Sequence, residues 1–354
     1  MRANRVDLGP VRRIAVFRAL ALGDLILAVP ALRALRRRFP EAEITYIGLK
    51  WSPALIRRFT QYVDRVVEFA GYPGINEVPY DPQRTEAFLA EQRAYGYDVV
   101  IQMHGSGQTS NPFALALGGR VTVGHYVGTA PAGLILGREW REEHESVRAL
   151  ALVGLLGGDV SDVSLEFPIL PDERLEATRL LKSLSAHGGM WLGMHPGASV
   201  SVRRWPPHDF ARVADYFAHH YGAQIVLTGG PAERDIVQQV MAHMTTRPLD
   251  LSGQTSLGGL AAVIDSLDLF LTNDTGPSHI GYALGTPSVT LFGPVHPARW
   301  EPLESGNHVI LYQPVGCNPC GLTECPIDHR CLRWIRPETV IDALEGLLAR
   351  KQVA

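Results

Sequence analysis

Short apolar runs alternate with amphipathic stretches along almost the whole chain, and few folds other than βα repeats on parallel sheets accommodate that alternation. In the first half, Ile14–Phe17, Ile44–Ile47, Val66–Phe69, Val99–Gln102 and Val121–Val123 read as buried strands. After Gly23, Leu25, Ala28, Val29, Leu32 and Leu35 recur at i, i+3, i+4, i+7 and i+10, a helix with Arg33, Arg36 and Arg37 on its other face. The pattern restarts around Ser183 to Gly189. Strands then read at Trp191–Met194, Ile225–Thr228, Leu269–Thr272 and Val289–Phe292, and helices at Pro207–His220, Ala232–Met244 and Ser256–Leu267. At 354 residues the chain exceeds one ordinary core. The expectation is therefore an α/β protein of two Rossmann-like domains with parallel sheets facing one another, over 1–185 and 186–335, with a C-terminal helix over 336–354. The Pro- and Gly-rich stretches 71–84 and 124–138 read as long loops, of a length that often carries function.

Bulk properties narrow the function classes. Hydrophobic residues at 46% against 19% charged describe a globular chain, and a net charge of −3 argues against a general nucleic-acid binder. Charge is nevertheless uneven: residues 1–60 hold twelve Lys/Arg and four acids, a balance of +8. A basic surface facing anionic lipid or a phosphorylated acceptor fits that asymmetry, and so does an ordinary solvated helix face. No run of about 18 apolar residues is present, so no membrane span is expected. Arg18 and Asp24 interrupt the apolar stretch Ile14–Pro30, which rules out a signal-peptide core. The expected location is cytoplasmic, with peripheral contact at the inner membrane as one extension of it.

Ligands of open α/β sheets bind beyond the carboxyl ends of the strands, so the turns there carry the chemistry. The richest is Asn273-Asp-Thr-Gly-Pro-Ser-His279, where an apolar run stops and a helix begins. Unpaired N–H groups and the positive end of the helix dipole make such a start an anion site, with Gly276 allowing close approach; a capped helix start is the plainer reading. Around it stand His195-Pro-Gly-Ala-Ser199, the pair Arg203-Arg204 able to grip phosphate oxygens, Gly229-Gly-Pro-Ala-Glu233, and Gly253-Gln-Thr-Ser256 with a capping hydroxyl. Glu233 either complements a helix dipole or accepts ribose hydroxyls. Together these turns describe a nucleoside diphosphate pocket. Neither a P-loop nor a GxGxxG fingerprint is present.

In the first half, Gly23-Asp24 follows the first strand. Asp24 reads as an N-cap beside a permissive glycine, or as a lone carboxylate placed to take a proton from an incoming hydroxyl. The polar turn Gln102 to Asn111, with His104 and Ser106, forms a second wall, where His104 is read as a hydrogen-bonding contact rather than a base. All four cysteines, Cys317, Cys320, Cys325 and Cys331, lie within fifteen residues beside His329. Two readings stand: a tetrahedral knuckle holding structural zinc or iron, or four reduced thiols packing a domain junction.

As a set, Arg18-Ala-Leu-Ala-Leu-Gly-Asp-Leu-Ile-Leu-Ala-Val-Pro30, His195-Pro-Gly-Ala-Ser with Arg203-Arg-Trp-Pro, Gly230-Pro-Ala-Glu-Arg-Asp and Asn273-Asp-Thr-Gly-Pro-Ser-His resemble glycosyltransferase family 9. Its best-known members are ADP-heptose:lipopolysaccharide heptosyltransferases. The resemblance runs from about Arg13 to Leu347 and implies a GT-B architecture, with the ADP-sugar donor in the C-terminal domain and a lipopolysaccharide-core acceptor in the N-terminal one. It implies an inverting transfer that requires no cofactor or metal, with Asp24 as general base. Asp274, Thr275, Gly276 and His279 match the positions that hold the donor's diphosphate and sugar. Glu233 matches the ribose-binding acid, Ser199 and Thr255 match positions near the phosphates and the base, and Arg203 stands where relatives often carry Lys. Gly23, His104 and Ser106 are the expected acceptor contacts. Transfer from another nucleotide sugar, a protein acceptor, a sugar-nucleotide epimerase and a silent sugar-nucleotide binder are the competing readings; Asp24 weighs against the epimerase, and Asp24 with Asp274 against the silent binder.

Overall fold

The computed structural model describes residues 7–182, 188–304 and 306–353. The chain divides into two compact units, one ending at Val163 and the other beginning at Ser164. The junction expected at 185/186 lies outside the described residues.

In the first unit, β1 (Arg13–Phe17), β2 (Glu43–Gly48), β3 (Arg65–Glu68), β4 (Val99–Gln102), β5 (Val121–Tyr126) and β6 (Leu136–Glu139) form one parallel sheet in the order β3-β2-β1-β4-β5-β6. Helices α1 (Leu22–Arg38), α2 (Ser52–Ile56), α3 (Pro82–Tyr95), α4 (Ser110–Ala116) and α5 (Glu145–Leu155) connect and cover them. Covered on both faces, β1 and β4 are apolar almost throughout, which is why they were legible as continuous runs. The order reverses between β1 and β4, and a ligand crevice is expected at the carboxyl ends of that pair.

Helix α1 corrects the amphipathic expectation. It packs along α5, and its buried residues run almost unbroken from Gly23 to Leu35. Arg33 is buried with them, its guanidinium 2.8 Å from Asp162. Arg37 also meets Asp162 at 3.2 Å, Arg36 pairs with Asp64, and Arg38 donates to the Leu156 carbonyl. These arginines serve their own unit rather than forming a bare basic face.

In the second unit, β7 (Trp191–His195), β8 (Gln224–Leu227), β9 (Leu249–Asp250), β10 (Leu269–Asn273), β11 (Ser288–Phe292) and β12 (His308–Tyr312) pair in parallel as β12-β11-β10-β7-β8-β9. Counted from β7, this is the strand order of the first sheet again, so β7 and β10 flank its reversal. α6 (Pro171–Leu180) packs on the helix Leu257–Asp265 of the same unit. The final helix, Pro337–Val353, is integral: Val340, Leu344 and Leu347 join Trp205, Phe210 and Phe217 in one core. Two parallel α/β sheets in succession make up the GT-B fold class.

The loops differ from expectation at their ends. Helix α3 claims the last residues of 71–84, because Asp81 caps it by accepting from the Gln83 and Arg84 amides at 2.9 and 3.1 Å. The 124–138 stretch gives its first residues to β5 and its last to β6. β6 alternates half-buried and exposed residues at the sheet edge and so has no apolar run to betray it. β9 is only two residues long, whereas β12 does carry an apolar run that the expected strands omitted.

Candidate active site

Asp24 lies in the first turn of α1, just past β1. It is not the N-cap: that position is Ala21, which makes no side-chain cap. Arg18, the first residue beyond β1, is buried and organises this edge. Its Nε donates to the Asp24 carbonyl at 2.8 Å and its Nη2 to Asp24 Oδ1 at 3.1 Å. Nη1 donates to the Met103 carbonyl beyond β4 at 2.5 Å, and Nη2 also lies 3.3 Å from Glu145 Oε2. The other Glu145 oxygen pairs with Arg148. Tyr46 donates its hydroxyl to the Arg18 carbonyl at 2.6 Å. The Asp24 side chain keeps 16% exposure at the end of this chain of charges, enough for a substrate hydroxyl to reach it.

His104 belongs to the same edge. Its Nδ1 accepts the Ala19 amide at 3.3 Å, which leaves the proton on Nε2, 3.6 Å from Glu77. The ring stacks on Phe17 with centroids 5.0 Å apart. Burial first, and then the Arg18 charge, pull its pKa down to about 4, so His104 is neutral at physiological pH. One ring nitrogen is thereby occupied as an acceptor and the other carries the proton. Gly23 is buried beneath Asp24, and Ser106 is half-buried in the turn after His104.

At the second edge, β7 ends on His195 and β10 on Asn273. Asn273 clips the adjoining turn in place: Oδ1 accepts the Trp205 amide at 3.0 Å and Nδ2 donates to the Pro196 carbonyl at 2.9 Å. The two arginines expected to share one task divide it. Arg204 spends Nε and Nη2 on the Ala198 carbonyl, at 3.0 and 2.7 Å, which rigidifies the turn. Arg203, one-third exposed, sets Nη1 3.3 Å from the buried Asp274 carboxylate. Thr275 follows as extended N-cap of the helix Gly276–Leu284, and Ser278 Oγ donates to its carbonyl at 2.6 Å. The helix Gly276–Leu284 opens two residues after Asp274, which puts its first-turn dipole beside the Arg203 guanidinium, an arrangement suited to phosphate. His279 is buried inside that turn, its ring edge-on to Tyr282.

Glu233 closes the other side of the edge. Its Oε2 accepts the Gly230 amide at 2.7 Å and lies 3.4 Å from His195 Nε2, while His195 Nδ1 sits 3.1 Å from Thr228 Oγ1. Burial pushes this carboxyl's pKa up, but the His195 hydrogen bond and charge, the Gly230 amide and Arg204 together hold it at about 2. The carboxylate is ionised and fixed in direction. The Gly253 amide donates to the Gly229 carbonyl at 2.8 Å, bringing the turn with Thr255 beside that of Glu233. The cap of the next helix is Ser256 rather than Thr255, and its hydroxyl also donates to Glu176. Ser199 is exposed on the turn after β7.

The metal reading of the cysteines finds no support in the side-chain arrangement. All four are free thiols, and among the described residues no three His, Cys, Asp or Glu side chains are arranged to hold a metal ion. Instead Cys317, Cys320, Cys325 and Cys331 line the walls of an apolar cavity of about 60 Å³ with Leu322 and Ile327. Cys331 sits in the second unit's core, and burial, then its three cysteine neighbours, raises its pKa.

With both edges described, the sequence can be set against known proteins. Residues 87–330 match the model of glycosyltransferase family 9 (heptosyltransferase), more than half of the chain. The chain belongs to this family. This family 9 glycosyltransferase is 24% identical over 338 residues to a lipooligosaccharide heptosyltransferase 2 of Campylobacter jejuni, covering 92% of this chain and 95% of that one. Among solved structures, a family 9 glycosyltransferase of Veillonella parvula superposes with a TM-score of 0.78 at 27% identity, covering 96% of this chain and 98% of that one. The Escherichia coli ADP-heptose lipopolysaccharide heptosyltransferase II gives 0.72 at 21%, covering 96% and 99%, a likeness of fold.

In the family 9 chain the site contains residues that motif reading passed over. In sequence His195 only opens a turn of small residues, yet in the fold its Nε2 lies 3.4 Å from Glu233. Arg18 reaches Glu145 across 127 positions of sequence, a distance no local pattern records. Asn273 was read as the end of a strand, and its side chain is the fastening of the whole second edge.

Proposed function

We propose that this family 9 glycosyltransferase moves heptose from ADP-heptose to a saccharide of the lipopolysaccharide core, with inversion at the anomeric carbon and without a catalytic metal. The first unit carries the base and the acceptor, the second the donor. Asp24 takes the proton as the acceptor hydroxyl bonds to the anomeric carbon, the bond from that carbon to the β-phosphate oxygen breaks, and ADP leaves with the electron pair. The negative charge that develops on the β-phosphate meets Arg203 and the amides opening the helix Gly276–Leu284. Asp274 orients Arg203, and Glu233 receives the ribose hydroxyls. Thr275, His279, Ser199 and Thr255 complete the donor side, and Gly23, His104 and Ser106 the acceptor side.

The observation that carries this reading is that Asp24 and the Arg203–Asp274 pair each stand at the reversal point of their own sheet, where parallel α/β folds bind ligands. The names of the relatives supply the sugar and the acceptor class. The acids of the donor edge are committed to Arg203 and to His195, which supports charge neutralisation by cation and dipole. Transfer from ADP-heptose onto heptose-deficient lipopolysaccharide core tests the proposal directly. Asp24→Asn is expected to reduce that rate by roughly a hundredfold or more while leaving ADP affinity within about twofold. Wild-type turnover in this variant refutes the base assignment, and an α-to-α or β-to-β product refutes inversion.

A further inference from the structure

We propose that Arg18 and Glu145 are positioning residues for Asp24: Arg18 fixes the direction of the carboxylate, and Glu145 sets how much of the guanidinium's charge that carboxylate feels. The inference rests on the reading of Asp24 as the proton acceptor and extends it to two residues outside the expected site.

The geometry is specific. Arg18 grips one residue twice, through the Asp24 carbonyl at 2.8 Å and the Asp24 Oδ1 at 3.1 Å, so the peptide and the side chain of Asp24 are set by one rigid plane. That plane is in turn held by the Met103 carbonyl beyond β4, which spans the reversal point of the sheet. Arg18 is 3% exposed and Glu145 likewise 3%, so this part of the chain is screened little by solvent. Charges alternate in sequence from Asp24 to Arg18, Glu145 and Arg148, and Arg148 rests on the Trp140 ring at 3.7 Å.

Two titratable groups on the same edge are neutral. Tyr46 on β2 is buried and its pKa is driven far up, chiefly by that burial, so it remains a neutral donor to the Arg18 carbonyl. His104 beyond β4 is neutral as described. Arg18 and, from α5, Glu145 and Arg148 bring charge to bear. When Asp24 accepts a proton, the four charges lose their balance and the cluster becomes cationic in a buried setting. Such a state gives the proton up readily. The guanidinium thus favours the carboxylate form of Asp24 between turnovers, and Glu145 tempers the effect by claiming part of Arg18.

This has an unusual signature: the two substitutions move one observable in opposite directions. The measurement is kcat/KM against pH for wild type, Arg18→Met, Arg18→Lys and Glu145→Gln, each checked for folding by circular dichroism. Arg18→Met is expected to move the acid limb to higher pH by about one unit or more, because the carboxylate loses its cation while Glu145 remains. Glu145→Gln is expected to move it to lower pH, because Arg18 and Arg148 are left less compensated. Arg18→Lys retains charge but not the fork, so kcat falls about tenfold while donor KM and the limb stay close to wild type. If Arg18→Met does not fold, the shift in Glu145→Gln and the kcat-only loss in Arg18→Lys decide the matter. Limbs that move together, or do not move, overturn the proposal. Asp24→Asn separates the two layers: loss of transfer without opposed shifts sinks only the positioning role, whereas wild-type transfer in Asp24→Asn sinks the base and the positioning role together.

Discussion

Gly197 marks how closely the donor edge is fitted. A Cβ built there would fall 2.2 Å from Glu233 Oε1, too near for both to keep their places. The atom in the way is the tip of a side chain and not backbone, so Glu233 moves and the fold stays. Gly197→Ala is expected to melt close to wild type yet to bind ADP about tenfold more weakly, which isothermal titration calorimetry reads as a loss of roughly 1.4 kcal/mol. Equal affinity in the two proteins would remove Glu233 from ribose binding. At this scale the sequence was informative about position: Asp24, Glu233, Arg203 and Asp274 all lie in the turns or first helical turns beyond strand ends. It was uninformative about partnership. Arg203 and Arg204 are adjacent and alike in sequence, and only the three-dimensional course of the turn sends one to Asp274 and the other to the Ala198 carbonyl.

Elements meet at Asn273, where the last residue of β10 secures the turn that follows β7. Replacing it with Ala leaves the Trp205 amide and the Pro196 carbonyl without their partner in a buried setting. Each such group costs about 1–3 kcal/mol, so Asn273→Ala is expected to lower the unfolding free energy by roughly 2–6 kcal/mol in urea. An unaltered midpoint would show the clip to be redundant. Strands in the interior of a parallel sheet are covered on both faces, and for that reason the apolar runs of β1, β4, β7 and β10 announced themselves. Leu136–Glu139 has no such cover and gave no such run. Helix starts were the least legible boundary. Asp24 has the chemistry of a cap, but α1 begins two residues earlier because Arg18 satisfies the Asp24 carboxylate from behind the turn.

Buried histidines give the whole molecule a shared response to acid. His104 and His125 in the first unit and His308 in the second are each held at a pKa of about 4, by burial first. The unfolded chain protonates them near pH 6.5. Between those values it binds protons that the folded chain refuses, so stability is full above about pH 6.5 and declines as pH falls toward 4, by on the order of 2 kcal/mol for each histidine. Glu233, held near 2, adds a further loss below about pH 4.5. Urea midpoints at pH 7.5 and 5 check this: a clear fall is expected, smaller in His308→Gln, and identical midpoints would refute it. The same strand order closes in each unit, around its own core and its own ligand edge. On the proposed division of labour, a new sugar donor requires no change before Val163 and a new acceptor none after Ser164. Recombination at that junction would hand down one preference intact while replacing the other, so novel pairings of donor and acceptor can be inherited by shuffling halves instead of by remaking either.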